Sequence, residues 1–164
     1  MGFARNEEKI TATFEEGEAA ALRSLVDQMR LVLTDDRPGD PARARLFPDA
    51  YEDRAEAAAF RDLVGDELRT AKLDALGTVA ATLGPAGRVE RELSLDEAEA
   101  WLRALTDLRL TIGARLKVTE EMMAAEVDLD APDALALSTL HWLGWLQESL
   151  LEQIAGGAYG TGEA

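Results

Sequence analysis

The chain has no cysteine. That one absence removes disulfides, thiolate nucleophiles, zinc–cysteine sites and any thiol redox switch. Histidine is nearly absent too, with His141 alone. One imidazole cannot supply the two Glu-x-x-His pairs of a di-iron bundle. No Ser/His/Asp set accompanies it, and the glycines are too scattered for a phosphate loop. His141 is therefore read as an ordinary surface or interface residue, with no catalytic residue and no metal expected. No run of about 20 apolar residues exists, so no membrane span is expected. The start, MGFARNEEKI, lacks an apolar signal core, which points to the cytoplasm. Aromatics are few, whereas the bias towards Ala, Leu, Glu and Arg favours helix.

Positive charge is also scarce. Against 32 Asp and Glu there are 17 Lys and Arg, a formal net charge of −15. Affinity for DNA depends on Lys and Arg neutralising phosphates, so binding of bare DNA without a partner is not expected. Such a surface fits solubility and a basic protein partner, although an acidic proteome would leave the same mark.

What is present reads as one domain of 164 residues, long enough to bury a core without staples. Residues 3–14 hold the strand formers Ile10, Thr11, Thr13 and Phe14, with Glu7-Glu8 suited to a turn, so a short strand or hairpin is expected. Residues 88–93 alternate and can pair with 9–14. Residues 15–33 carry the stripe Leu22, Leu25, Val26, Met29, Val32, Leu33, opened by Glu15, Glu16 and Glu18 at the positive end of the helix dipole. Asp35 to Asp40 form a linker. Leu46, Phe47 and Tyr51 tuck an irregular segment onto the helices, and Arg37, Arg43 and Arg45 beside it read as a surface ion-pair network. A short helix at 55–63 breaks at Val64-Gly65, and another runs over 66–83 to a stop at Gly84-Pro85. The chain is organised around 94–117. Ser94 and Glu97 form a capping box, and Trp101, Leu105, Leu108, Ile112 and Leu116 share one face. Thr119 caps a short piece with Met122 and Met123, and the last helix spans 133–155. The expected fold is mainly α: a single helical domain over 1–155, of about five helices, with a small antiparallel β element (3–14 and 88–93) and a disordered tail at 156–164.

Two helices each set one cation inside an apolar stripe. Lys72 falls in the middle of Leu68, Ala75, Leu76, Val79 and Leu83, and Arg109 projects between Leu102 and Leu105. A buried charge is costly unless paired and hydrogen-bonded. Candidate partners are Asp49, Asp53, Asp62 and Asp107. Three readings stay open: a salt-bridge network of Lys72, Arg109 and a carboxylate such as Asp49; an anion pocket using Arg109 as a fork; or a Lys72 that snorkels to water. Under the first, Arg109→Ala costs roughly 3–5 kcal/mol.

The last helix is apolar on two sides. Leu135, Thr139, Trp142, Leu143, Leu146, Leu150 and Ile154 make a first stripe. Leu137, Leu140, Gly144 and Leu151 make a second, where the small Gly144 allows another helix to approach closely. That second stripe is the candidate homodimer face.

The segments RLFPDAY (45–51), AAFRDL (58–63), LRTAKL (68–73), WLRALTDLRLTIGARL (101–116) and LHWLGWLQESL (140–150), in that order and spacing, resemble the actinobacterial DUF2017 family, also called the actinomycete oxidative stress regulator (AosR) family. The resemblance covers roughly residues 3–155 and involves no catalytic motif. It implies a cytoplasmic, non-enzymatic regulator of stress-response or cysteine-biosynthesis genes, without cofactor, acting through a protein partner such as a sigma factor or RNA polymerase. Regulator members of the family are associated with a Cys-x-x-x-Cys pair. This chain has none, so a disulfide-sensing mechanism does not carry over. The alternatives are a helical adaptor or scaffold outside transcription, and a small-molecule binder built on Lys72 and Arg109.

Overall fold

The computed structural model describes residues 2–34, 46, 54–116 and 133–160; for 54–66, 116 and 157–160 it describes the backbone alone. Among them are β1 (Gly2–Asn6), β2 (Lys9–Phe14), α1 (Glu16–Thr34), α2 (Arg54–Leu83), β3 (Val89–Leu93), α3 (Leu95–Leu116) and α4 (Ala134–Gly160). The protein is mainly helical with one small antiparallel sheet, ordered β1-β2-β3.

The sheet forms where strand-forming residues alternate. Ile10, Ala12 and Phe14 of β2 are buried, and so are their neighbours Phe3, Val89 and Leu93. The register sets Phe3 opposite Ala12, and Ile10 and Phe14 opposite Leu93 and Val89. The β1–β2 hairpin turns at Glu7-Glu8, where Glu7 has φ 57°. Its carbonyl accepts a hydrogen bond from Arg5 Nε at 2.9 Å. The β1 edge is covered by α4, which protects it from pairing with another chain. Gln153 accepts from the Arg5 backbone N–H at 2.9 Å through Oε1, and from the Arg5 guanidinium at 3.0 Å through its carbonyl.

α3 is the centre. It packs against α2 and α4 and touches α1, β2 and β3. Its capping box is formed in both directions: Glu97 N–H donates to Ser94 Oγ at 3.1 Å, and Ser94 N–H donates to Glu97 Oε1 at 3.0 Å. Trp101 is fully buried. Its ring stacks on Phe14 at 5.6 Å and meets Phe3 edge-on at 5.3 Å. Its Nε1 donates to Thr82 Oγ1 at 3.2 Å, so the one polar atom of the ring is satisfied. Ala98, Ala100 and Ala104 are buried beside it, and small side chains there let neighbouring helices come close. The α1 stripe is buried as its period requires, from Leu22 to Leu33. Gly84, at φ 67°, ends α2 in a left-handed cap, its N–H bonded to the Ala80 carbonyl at 3.0 Å. Arg23 of α1 donates to the carbonyls of Leu83, Gly84 and Gly87, satisfying groups the helix end leaves open.

Some expectations are corrected. The break at Val64-Gly65 does not occur, since α2 is one helix through both residues. A helical glycine is unfavourable by only about 1 kcal/mol relative to alanine, and the alanines and leucines around it outweigh that. Leu68 and Leu135, assigned to apolar stripes, are 36% and 82% exposed; periodicity fixes a face but not how far along the helix a neighbour covers it. α4 continues helical to Gly160, beyond the expected end at 155. Leu46 joins the core. Phe47, Tyr51, the Arg37–Arg43–Arg45 patch, the Thr119 cap, Met122 and Met123 lie outside the described residues, as do 161–164.

Candidate functional site

The two stripe cations sit on either side of α3. Lys72 reaches from α2 to Asp107 of α3, Nζ to Oδ1 at 2.8 Å, with the side chains 17% and 8% exposed. Asp107 was one of four carboxylates within sequence reach. Asp49, the other candidate in the network, lies outside the described residues. Arg109 leaves α3 on the other side and meets α4. It donates from Nη1 to Gln147 Oε1 at 2.6 Å, and Gln147 Nε2 donates back to Thr106 of α3 at 2.5 Å. Arg109 Nε is buried with no hydrogen-bond partner. A Cβ added at Gly144 would lie 3.4–3.5 Å from Nη2, Cζ and Nε of Arg109. Three nearly equal distances mean that the guanidinium lies flat over this glycine. Lys72 and Arg109 thus join different helix pairs and do not converge on one anion pocket.

The expected dimer face is divided by the same geometry. Leu140 is 4% exposed, packed inside the chain. Gly144 is covered by Arg109, so the small residue there accommodates a side chain of its own fold. Leu137 is half-buried, and Leu151 is 49% exposed. His141 is half-buried, and its Nε2 is buried without a hydrogen-bond partner. Among the described residues no three His, Asp or Glu side chains gather as a metal set, and no helix is long and apolar enough to cross a membrane.

The concave feature close to these joints is an open groove of about 470 Å³. Leu68 and Lys72 line it from α2, Leu102 and Thr106 from α3, and Gln147 and Leu151 from α4. Four of its polar groups serve one another through the Lys72–Asp107 and Gln147–Thr106 contacts, whereas Arg103, also in the lining, is exposed. It also exposes two apolar side chains, Leu68 and Leu151, 36% and 49% exposed. The sequence reading missed Gln147 as the joint between Arg109 and Thr106. The available signal was its place one helical turn after Gly144, on the side of α4 that faces Arg109.

The chain matches the DUF2017 family, described as a domain of unknown function, over residues 1–154. An oxidative stress regulator AosR of Mycobacterium bovis is 32% identical over 134 residues, covering 73% of this chain and 61% of that protein. The protein of the same name from Mycobacterium tuberculosis H37Rv gives the same figures, 32% over 134 residues. A Mycobacterium leprae relative is 32% identical over 129 residues, 70% of this chain and 58% of its own length. The chain spans about three fifths of the length of these relatives. No solved structure matches the chain significantly.

Proposed function

We propose that this chain, which belongs to the DUF2017 family, is a non-enzymatic regulatory protein of the oxidative stress response that works through a protein partner, such as a sigma factor or RNA polymerase. The regulatory part rests on the relatives named oxidative stress regulator. The choice of partner is carried by one observation, the net charge of −15. A surface this negative repels a phosphate backbone, whose binding depends on Lys and Arg contacts, and it attracts basic protein surfaces. These 164 residues hold no cysteine, so any signal acting on them enters by a route other than thiol oxidation.

The test is affinity capture from an actinobacterial lysate with the whole chain as bait. A sigma factor or a polymerase subunit is expected on the bait, with naked duplex DNA left unbound by the purified chain. Tight, salt-sensitive capture of naked duplex, or turnover of a metabolite, overturns the reading. Capture of partners that include no transcription component moves the chain to the class of helical adaptors.

A further inference from the structure

We propose that the groove between α2, α3 and α4 is the docking site for an amphipathic helix of another protein, one whose apolar edge is flanked by lysines or arginines. This rests on the reading that the chain acts through a protein partner, and it says where the partner sits and what it presents.

The shape comes from the helix layer. α3 is flanked by α2 and α4, and packed helices lie about 8–10 Å apart. The valley above α3 is therefore the place a further helix takes in a bundle. Its two walls each expose a leucine, Leu68 and Leu151, with Leu102 between them. One exposed leucine needs no explanation, but leucines on facing walls make an apolar strip matched to a helix edge. Lys72 on the floor does not call for a small anion, because it is already neutralised by Asp107 at 2.8 Å.

The rims set the charge of the occupant. Glu67 and Asp74 lie one turn to either side of Ala71 on α2, and Glu148 and Glu152 lie one turn before and one residue after Leu151 on α4; all four are exposed and stand just outside the residues that line the groove. Among the groove's lining residues the cation not held by a carboxylate contact on these walls is Arg103. An apolar strip between carboxylate rims complements a helix with apolar anchors and basic flanks. A second copy of this chain would bring the same carboxylates to the contact and be repelled.

The test is an NMR titration of the whole chain with two peptides of one pattern, leucines at positions i, i+4 and i+7 flanked either by lysines or by glutamates. The lysine peptide is expected to shift amides within 68–72, 102–107 and 147–151. It is expected to bind about tenfold more weakly to L151Q, and about tenfold more weakly when salt rises from about 50 to about 300 mM. L31Q changes a leucine that is 69% exposed on α1, outside the groove, and should keep full affinity. No binding, equal binding of both peptides, shifts confined to another face, or self-association of the chain that tightens with salt each overturns the proposal. The peptides need no cellular partner, so failure to capture a transcription component defeats the functional reading without touching the groove. Capture that survives L151Q defeats the groove alone.

Discussion

Lys72 and Arg109 look alike in the sequence, one cation within each of two apolar stripes, and the fold treats them differently. Lys72 is held by a carboxylate, Asp107, in a site where neither side chain is more than 17% exposed. Arg109 has a neutral amide, Gln147, at 2.6 Å, a glycine under its plane and a buried Nε without an acceptor. An ammonium is a compact, strongly hydrated charge, and taking it from water requires a counter-charge. A guanidinium is planar and weakly hydrated, so it can lie on an apolar backbone surface with one neutral acceptor. The α2–α3 joint is therefore electrostatic, and the α3–α4 joint is largely packing.

The largest effect expected from this difference is at the paired site. Lys72→Met leaves the Asp107 carboxylate without its partner and should lower unfolding free energy by about 3–5 kcal/mol. Lys72→Met with Asp107→Leu removes both charges and should return stability to within about 1 kcal/mol of the parent. Urea melts of the two singles and the double give the coupling, and a single that costs less than the double breaks the comparison. Arg109→Ala should cost only about 1–2 kcal/mol, the loss of stem packing and one hydrogen bond to a neutral group. That is below the roughly 3–5 kcal/mol that an ion pair would imply. A cost equal to that of Lys72→Met would mean that a carboxylate reaches Arg109 in solution.

Legibility in the sequence followed the range of the interaction. The capping box at Ser94 and Glu97, the cap at Gly84 and the strands at residues 3–14 and 88–93 depend on neighbours a few residues away, and each is found where its residues place it. The α1 stripe was legible because a period of 3.6 residues leaves one face to bury. The continuity of α2 through Gly65 was not, because a weak local breaker competes with thirty residues of helix. The partners of Lys72 and Arg109 were legible as a need but not as an answer. Four carboxylates were candidates, and only packing selects Asp107 for Lys72 and a glutamine for Arg109. The groove was hidden for the same reason, since Leu68 carries the pattern of a core residue yet lies where the neighbouring helices leave off.

Gly144 sharpens the packing half of the comparison. A Cβ there would meet the guanidinium at 3.4 Å, ordinary contact distance, so Gly144→Ala should fit without moving Arg109. The gain in helix propensity should then raise stability by about 0.5–1 kcal/mol. Gly144→Leu should instead displace the guanidinium and cost about 1–3 kcal/mol by overpacking. If Gly144→Ala lowered stability at low protein concentration, the guanidinium would be seated more tightly than an ordinary contact. If it did so only at high concentration, the glycine would belong to a contact between copies.

The smallest effect should come from a third cation, Lys9, which separates charge from burial. It pairs with Glu92 across the β2–β3 ladder at 2.9 Å, the same kind of contact as Lys72–Asp107, but its side chains are 67% and 62% exposed. The hydrogen bond and the charge of Glu92 push the Lys9 ammonium above its ordinary 10.5. A folded-state value raised above the unfolded one gives stabilisation that is complete below the unfolded value and lost as pH climbs through the raised one. The window is thus alkaline, and within it water screens both partners. Lys9→Gln should leave the urea midpoint unchanged within error at neutral pH, and any small difference should close as pH rises past that window. A loss comparable to that of Lys72→Met would show that the chain gains as much from an exposed pair as from a buried one, and burial would no longer explain why Lys72 needs Asp107.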